Sequence, residues 1–351
     1  MSKSGLPLIL FAPFPRSRAL LFPDDQWQRL DARARIISHE GSPMPDALID
    51  RHIGEAALVI GQADLPAERL ARAGSLRAVI NVEGNFLPNV DYAGCFERRI
   101  AVLGAGQAFA APVAEMALAL ALDLARGVTC GDRAMREGRE RYGLAGNSRS
   151  FLFTGADLGL IGFGNLGLAL LPLLRPFGGR IRVHDPWLPE GHLRDHGVIP
   201  ATLDEVLSLS RVTFVLAGVT DSNRGMIGVR ELALVPDDAA FLLMSRAGVV
   251  DWPAFMAATQ DGRFRAATDV FPEEPVPADD PVRAHPHLLL SSHRAGGLRE
   301  AFRRMGEMVV DDVLLILDGL PSVRLQAARP ETVGRMRSPP GRGMAAGGDH
   351  G

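Results

Sequence analysis

The chain has 351 residues, enough for about two domains, each with a core of its own. Hydrophobic residues make up 47% and charged residues 23%, a globular composition rather than a disordered or low-complexity one. With 38 basic against 41 acidic residues the net charge is −3, so there is no bulk positive field to hold nucleic acid or an anionic membrane surface, and neither is an expected partner.

Along the chain, the opening run LPLILFAPF is short, follows a single Lys3 and ends in Pro-Arg, which reads as a buried first strand rather than a targeting segment. From residue 7 to about 95, strand-like runs (PLILFAP, ARIIS, AALVIG, LRAVINV) alternate with helix-like stretches such as LPAERLARAG, the pattern of a parallel sheet covered by helices. The segment PVAEMALALALDLARGV is broken by Glu115 and Asp123 and reads as a soluble core helix. A second series then begins near residue 157 with DLGLIGFG, RIRVHD, VTFVLAG, AAFLLMS, FRAATDVF and HLLLSS, near-continuous apolar runs expected of strands covered on both faces. The amphipathic stretch 298–319 follows it, so a chain that leaves the first domain on one helix returns on another.

The predicted fold class is therefore α/β, with two Rossmann-like or flavodoxin-like domains, parallel sheets and an active site in the interdomain cleft. Residues 1–118 and 299–330 are expected to form a discontinuous substrate-binding domain, and 119–298 a dinucleotide-binding domain. Residues 331–351, rich in Gly and Pro, are expected to be a disordered tail. The two cysteines, Cys95 and Cys130, show neither metal-ligand spacing nor a disulfide framework, so no metal and a cytoplasmic location are expected.

The turn Gly162-Phe163-Gly164-Asn165-Leu166-Gly167 sits between a strand and a helix, and Asp185 closes the next strand eighteen residues after Gly167. Glycines there permit a tight turn and close approach of a pyrophosphate to backbone N–H groups, while the helix N-terminus supplies partial positive charge. Asp185 is placed to meet the hydroxyls of an adenosine ribose and would repel a 2′-phosphate, which favours NAD over NADP. Pro172 falls inside the expected helix, so either the helix is kinked or it starts later than the turn implies.

Arg246, Glu274 and His293 each close an apolar strand, in FLLMSR, ATDVFPEEP and HLLLSSH. Ligands of open parallel sheets bind beyond the carboxyl ends of strands, so the three converge on the crevice that would hold the dinucleotide. Hydride transfer between nicotinamide and a 2-hydroxy acid needs a proton carrier, a carboxylate anchor and a group to tune the carrier. Imidazole, guanidinium and carboxylate suit these roles in turn.

The order of Gly-rich turn, SRAGVVD, TDVFPEEP and SSHRAGG resembles the D-isomer-specific 2-hydroxyacid dehydrogenases, which include phosphoglycerate dehydrogenase and the glyoxylate and hydroxypyruvate reductases. The resemblance implies Arg246, Glu274 and His293 as the catalytic set and Asp269 as the group that holds the nicotinamide carboxamide. It also implies that the loop NVEGNFLPNVDY receives the substrate carboxylate at Gly84, Asn85 and Phe86, with Arg246. Gly218 and Asn223 in GVTDSNRGMIG, with Met244 and Ser245 ahead of the arginine, are expected beside the cofactor. A small 2-oxo or 2-hydroxy acid is the implied substrate, and a homodimer built on the cofactor domain, with 127–150 as an arm, the implied assembly. The alternative is an NAD(H)-sensing, corepressor-like protein on the same scaffold. Two side chains near these motifs stay open between two readings: Glu83 as a pocket acid that discourages dianionic substrates or a solvated loop acid, and Arg294 as a cation for a second anionic group or the partner of an acid at a domain edge.

Overall fold

In the computed structural model, which describes residues 5–84 and 86–336, the chain divides into two compact units. One runs to Phe109 and resumes at Gly297; the other is Ala110–Gly296. In chain order the strands are β1 (Leu8–Ala12), β2 (Arg35–Ser38), β3 (Ala56–Gly61), β4 (Ala78–Asn81) and β5 (Ala101–Gly104) in the first unit. The second unit holds β6 (Leu158–Ile161), β7 (Ile181–His184), β8 (Ile199–Pro200), β9 (Val212–Val215), β10 (Ala240–Leu243), β11 (Arg265–Thr268) and β12 (Leu288–Leu290). A short β13 (Gln326–Ala327) completes the first.

The sheet of the first unit has the order β13-β5-β4-β3-β1-β2, parallel except for the antiparallel β13 edge. Leaving that edge aside, it is the flavodoxin-like 2-1-3-4-5 arrangement. Side chains on successive strand residues face opposite sides, and the two cores follow that period. Ile9, Phe11, Leu58, Ile80 and Leu103 pack with Phe302, Met305, Val309 and Val313 of the helix Arg299–Leu317. Leu8, Leu10, Val59, Val79 and Val102 pack with Ile49 and Leu70 on the other side. Asp312, fully buried in that helix, accepts backbone N–H groups of Val323, Arg324 and Leu325 and so fixes the approach to β13.

The second sheet has the order β12-β11-β10-β9-β6-β7-β8, every pairing parallel. Counted from β6 this is the doubly wound 3-2-1-4-5-6 order with one further strand, and its direction of winding reverses between β6 and β9. Both units therefore have the predicted α/β, parallel-sheet character.

Three expectations change in detail. The helix Ala110–Arg126 goes with the second unit whole, rather than being divided near residue 118, because Val113, Ala114, Ala117, Ala121 and Leu124 share one core with Leu158, Leu160 and Leu170. A span including it, Gly106–Arg126, is the one helix among the described residues long and apolar enough to cross a membrane, and half of it is buried. The start of the expected tail is not structureless: Pro330–Met336 is helical and buries Val333 in the core of the first unit, while residues 337–351 lie outside the described residues. The strand β5 was not anticipated, although IAVLG is a short apolar run of the usual length.

Pro172 neither delays the helix nor ends it: the helix spans Asn165–Leu174 and passes into a 3-10 turn at Arg175–Phe177. The carbonyl that loses its i+4 donor belongs to Leu168, a residue on the solvent side.

Candidate active site

The Gly-rich turn stands at the switch point of the second sheet, where the loops after β6 and β9 lie side by side. A side chain at Gly162 (φ +93°) would put its Cβ 2.6 Å from the Ala217 backbone nitrogen, so this contact admits only glycine. Gly164 caps the helix that begins at Asn165, and no atom lies within 4 Å of where its Cβ would be, nor of the corresponding point at Gly218. Leu166 is partly buried against the core and Gly167 is packed close to the Phe163 ring. Asp185, just past β7, accepts the Phe163 N–H at 2.8 Å and the Trp187 N–H at 3.0 Å, which ties it to the turn. A helix N-terminus behind open glycine backbone, with an anchored carboxylate on the next strand, fits a dinucleotide.

The loop after β9 is held by Asn223, whose amide donates to the Gly218 carbonyl at 2.8 Å and accepts the Thr220 N–H at 2.7 Å. Ser245 ties that loop to the end of β10 by donating its hydroxyl to the Ala217 carbonyl at 2.6 Å. The Met244 side chain is buried in the core, leaving only its backbone for a ligand. Asp269, buried past β11, accepts the N–H groups of Arg294 and Ala295, both at 3.1 Å. Each of its oxygens has a second lone pair with which to accept a carboxamide.

Arg246 follows β10, Glu274 follows β11 and His293 follows β12, on adjacent strands. His293 Nδ1 lies 2.5 Å from Glu274 Oε2, and the other carboxylate oxygen accepts the Phe271 N–H at 2.9 Å. An ionised Glu274 accepts, so Nδ1 carries hydrogen and Nε2 is left to exchange a proton. Burial pushes the Glu274 carboxyl up. The His293 hydrogen bond, the Phe271 N–H and the charges of His293 and Arg246 outweigh it, and the group ends below its ordinary value. Burial pushes the Arg246 guanidinium down, countered by the charge of Glu274. One arm of Arg246 donates to the Ser245 carbonyl at 2.7 Å. His293 has φ +50°, a left-handed conformation uncommon for a residue with a side chain and found preferentially where function demands it.

Arg294 next to it is exposed and forms no ion pair among the described residues, so of its two readings the pairing with an acid has no support here. No cluster of three or more His, Cys, Asp or Glu side chains suited to a metal occurs among the described residues.

In the first unit, Gly84 is exposed past β4, whereas the Phe86 ring is buried in the core against Tyr92 and is no pocket wall. Asn85 lies outside the described residues. Sequence reasoning missed two residues here. Asn81 accepts the Glu83 N–H at 2.6 Å, and Arg16, past β1, holds the Glu83 carboxylate with Nε and NH2 at 3.1 and 3.2 Å. No pattern joins positions 67 residues apart in sequence.

Residues 118–295 match the model of the D-isomer specific 2-hydroxyacid dehydrogenase, NAD binding domain. A phosphoglycerate oxidoreductase from Rhizobium etli has 43% sequence identity and a TM-score of 0.84, the match covering 93% of this chain and 99% of that one. The glyoxylate reductase of Korarchaeum cryptofilum is 30% identical over 80% of this chain and 85% of its own length. The D-3-phosphoglycerate dehydrogenase of Archaeoglobus fulgidus is 28% identical over 79% of this chain, but the match spans only 52% of that relative.

Proposed function

Because the chain belongs to the D-isomer specific 2-hydroxyacid dehydrogenases, a family of NAD-binding oxidoreductases, we propose that it interconverts a small 2-oxo acid and its D-2-hydroxy acid. The observation that carries the reading is the His293–Glu274 pair at 2.5 Å, on strands adjacent to the one that presents Arg246 and in the same sheet as the dinucleotide turn.

NAD(H), when bound, supplies or accepts the hydride. Gly162, Gly164, Asn165, Leu166 and Gly167 would hold its pyrophosphate, Asp185 its ribose, and Asp269 its carboxamide, with Gly218, Asn223, Met244 and Ser245 bordering it. In reduction, protonated His293 gives its Nε2 proton to the substrate oxygen as the carbonyl becomes an alcohol, and Glu274 balances the imidazolium charge. In oxidation, neutral His293 takes that proton back. Arg246 and the backbone of Gly84, Asn85 and Phe86 hold the substrate carboxylate. The first unit then serves the substrate and the second the cofactor.

We infer a homodimer and a cytoplasmic location, with neither nucleic acid nor membrane as partner. Purified protein supplied with NADH is expected to reduce glyoxylate, hydroxypyruvate or a related 2-oxo acid, read as loss of absorbance at 340 nm, and His293→Ala to abolish that turnover. Tight NADH binding without turnover on a broad 2-oxo acid panel would replace this reading by that of a dinucleotide sensor.

A further inference from the structure

The contacts around Glu83 close into a ring inside the first unit. Arg16 donates from NH2 to the Glu83 carboxylate at 3.2 Å, keeps its Nε 3.1 Å from the other carboxylate oxygen in an ion pair, and lies over the Phe302 ring, 4.9 Å from its centroid. Phe302 meets Phe109 edge to face at 5.6 Å, and the Phe109 ring lies 3.7 Å from where a Gly84 Cβ would stand. Gly84 is the neighbour of Glu83, whose N–H is pinned by Asn81. Arg16 follows β1 and Glu83 follows β4, so both stand at the carboxyl end of the sheet, beside the loop that receives the substrate carboxylate in the proposed function.

The geometry points to Arg16 and Glu83 as specificity-determining residues that restrict the substrate to 2-oxo and 2-hydroxy monoacids whose C3 carries an uncharged group, such as hydroxyl. This rests on the catalytic reading above. The guanidinium at this position is the obvious reader of a second anionic group, but its charge is already taken by a carboxylate. Both side chains are less than a fifth exposed, so water screens their field weakly and a phosphorylated substrate meets an acid in place of a free cation. Phe109, half-buried beside Gly84, is an apolar side chain next to that loop, and an uncharged group needs no counter-ion there. Burial pushes the Glu83 carboxyl above its ordinary value, and the charge and hydrogen bond of Arg16 offset part of that rise.

The test compares kcat/KM for hydroxypyruvate and 3-phosphohydroxypyruvate, with NADH, in the wild type, Glu83→Gln and Arg16→Gln. The wild type is expected to favour hydroxypyruvate. Glu83→Gln, nearly isosteric, frees the guanidinium and is expected to shift the ratio about tenfold toward the phosphorylated acid. Arg16→Gln, assayed at alkaline pH where the carboxyl is ionised, leaves the carboxylate unpaired and is expected to shift it the other way. Opposite signs cannot come from simple loss of folding, and NADH affinity, read by fluorescence quenching, is expected to stay within twofold in both variants. A wild type that prefers the phosphorylated acid, or two variants that move the ratio together or not at all, overturns the inference while leaving the catalytic reading intact. Absence of turnover with every 2-oxo acid overturns the catalytic reading, and this inference falls with it.

Discussion

Position 293 combines a left-handed backbone with a side chain held at one nitrogen, which leaves the other nitrogen for proton transfer. Replacing it by Asn keeps a polar side chain that tolerates the same backbone but cannot exchange a proton. A drop in kcat of about a thousandfold is expected, with NADH affinity little changed, since general acid–base groups contribute on that scale. Glu274→Gln keeps the shape of the pair and removes its counter-charge. Reduction passes through an imidazolium whose charge the neutral amide no longer balances, so kcat for reduction is expected to fall about a hundredfold with NADH affinity little changed. The same carboxylate also contributes to folding. Its folded carboxyl titrates below its ordinary value of 4.5, so the stabilisation is complete above that value and is lost as pH falls through the folded one. The urea midpoint of the wild type should therefore exceed that of Glu274→Gln near neutrality, and the gap should close as the pH falls below 4.5 and through the lower folded value.

Helix Arg299–Leu317 shows how one element serves two ends of a unit. Its apolar face covers the first sheet, and Asp312 within it satisfies three backbone donors of the segment that leads to β13. Asp312→Ala would leave those donors buried and unpaired, at a cost of about 3 kcal/mol, read as a lower denaturant midpoint with an unchanged slope. Elements of this kind were legible where periodicity or a strand end marks them. The runs closed by Arg246, Glu274 and His293 could be read because a charge ending an apolar strand of a parallel sheet has one place to point. The glycine turn was readable because strand, turn, helix and Asp185 occur in one continuous stretch. What escaped was set by tertiary contact. The Phe86 ring turned inward because a core cavity beside Gly104 and Tyr92 takes it, and the Arg16–Glu83 pair joins two strand ends that only the folded sheet brings together. Pro330–Met336 became a helix because Val333 finds a core to enter, which composition alone does not disclose.

The second unit carries a segment whose apolar groups are exposed in the single chain. Helices Val128–Arg136 and Gly143–Gly146 bury none of their residues, and Val128, Met135, Tyr142, Leu144 and Leu152 are all more than half exposed, Leu144 at 88%. Scattered exposed leucines need no explanation, but five large apolar side chains within 25 residues form the kind of surface that a second copy covers in a symmetric dimer. Segment 127–150 is thus a candidate arm, and burial of a leucine side chain is worth about 2 kcal/mol on each of the two symmetric faces. Leu144→Glu replaces that gain by the cost of desolvating a charge, so the dimer should weaken by at least about a hundredfold. Light scattering at micromolar concentration is expected to give twice the chain mass for the wild type and a dilution-dependent lower mass for the variant. Because Leu144 is distant in sequence from every proposed catalytic residue and exposed in the chain alone, thermal unfolding of the dilute variant should match that of the dilute wild type. A wild type that scatters as a single chain would refute the arm outright, and a variant that stays dimeric would move the interface to another face.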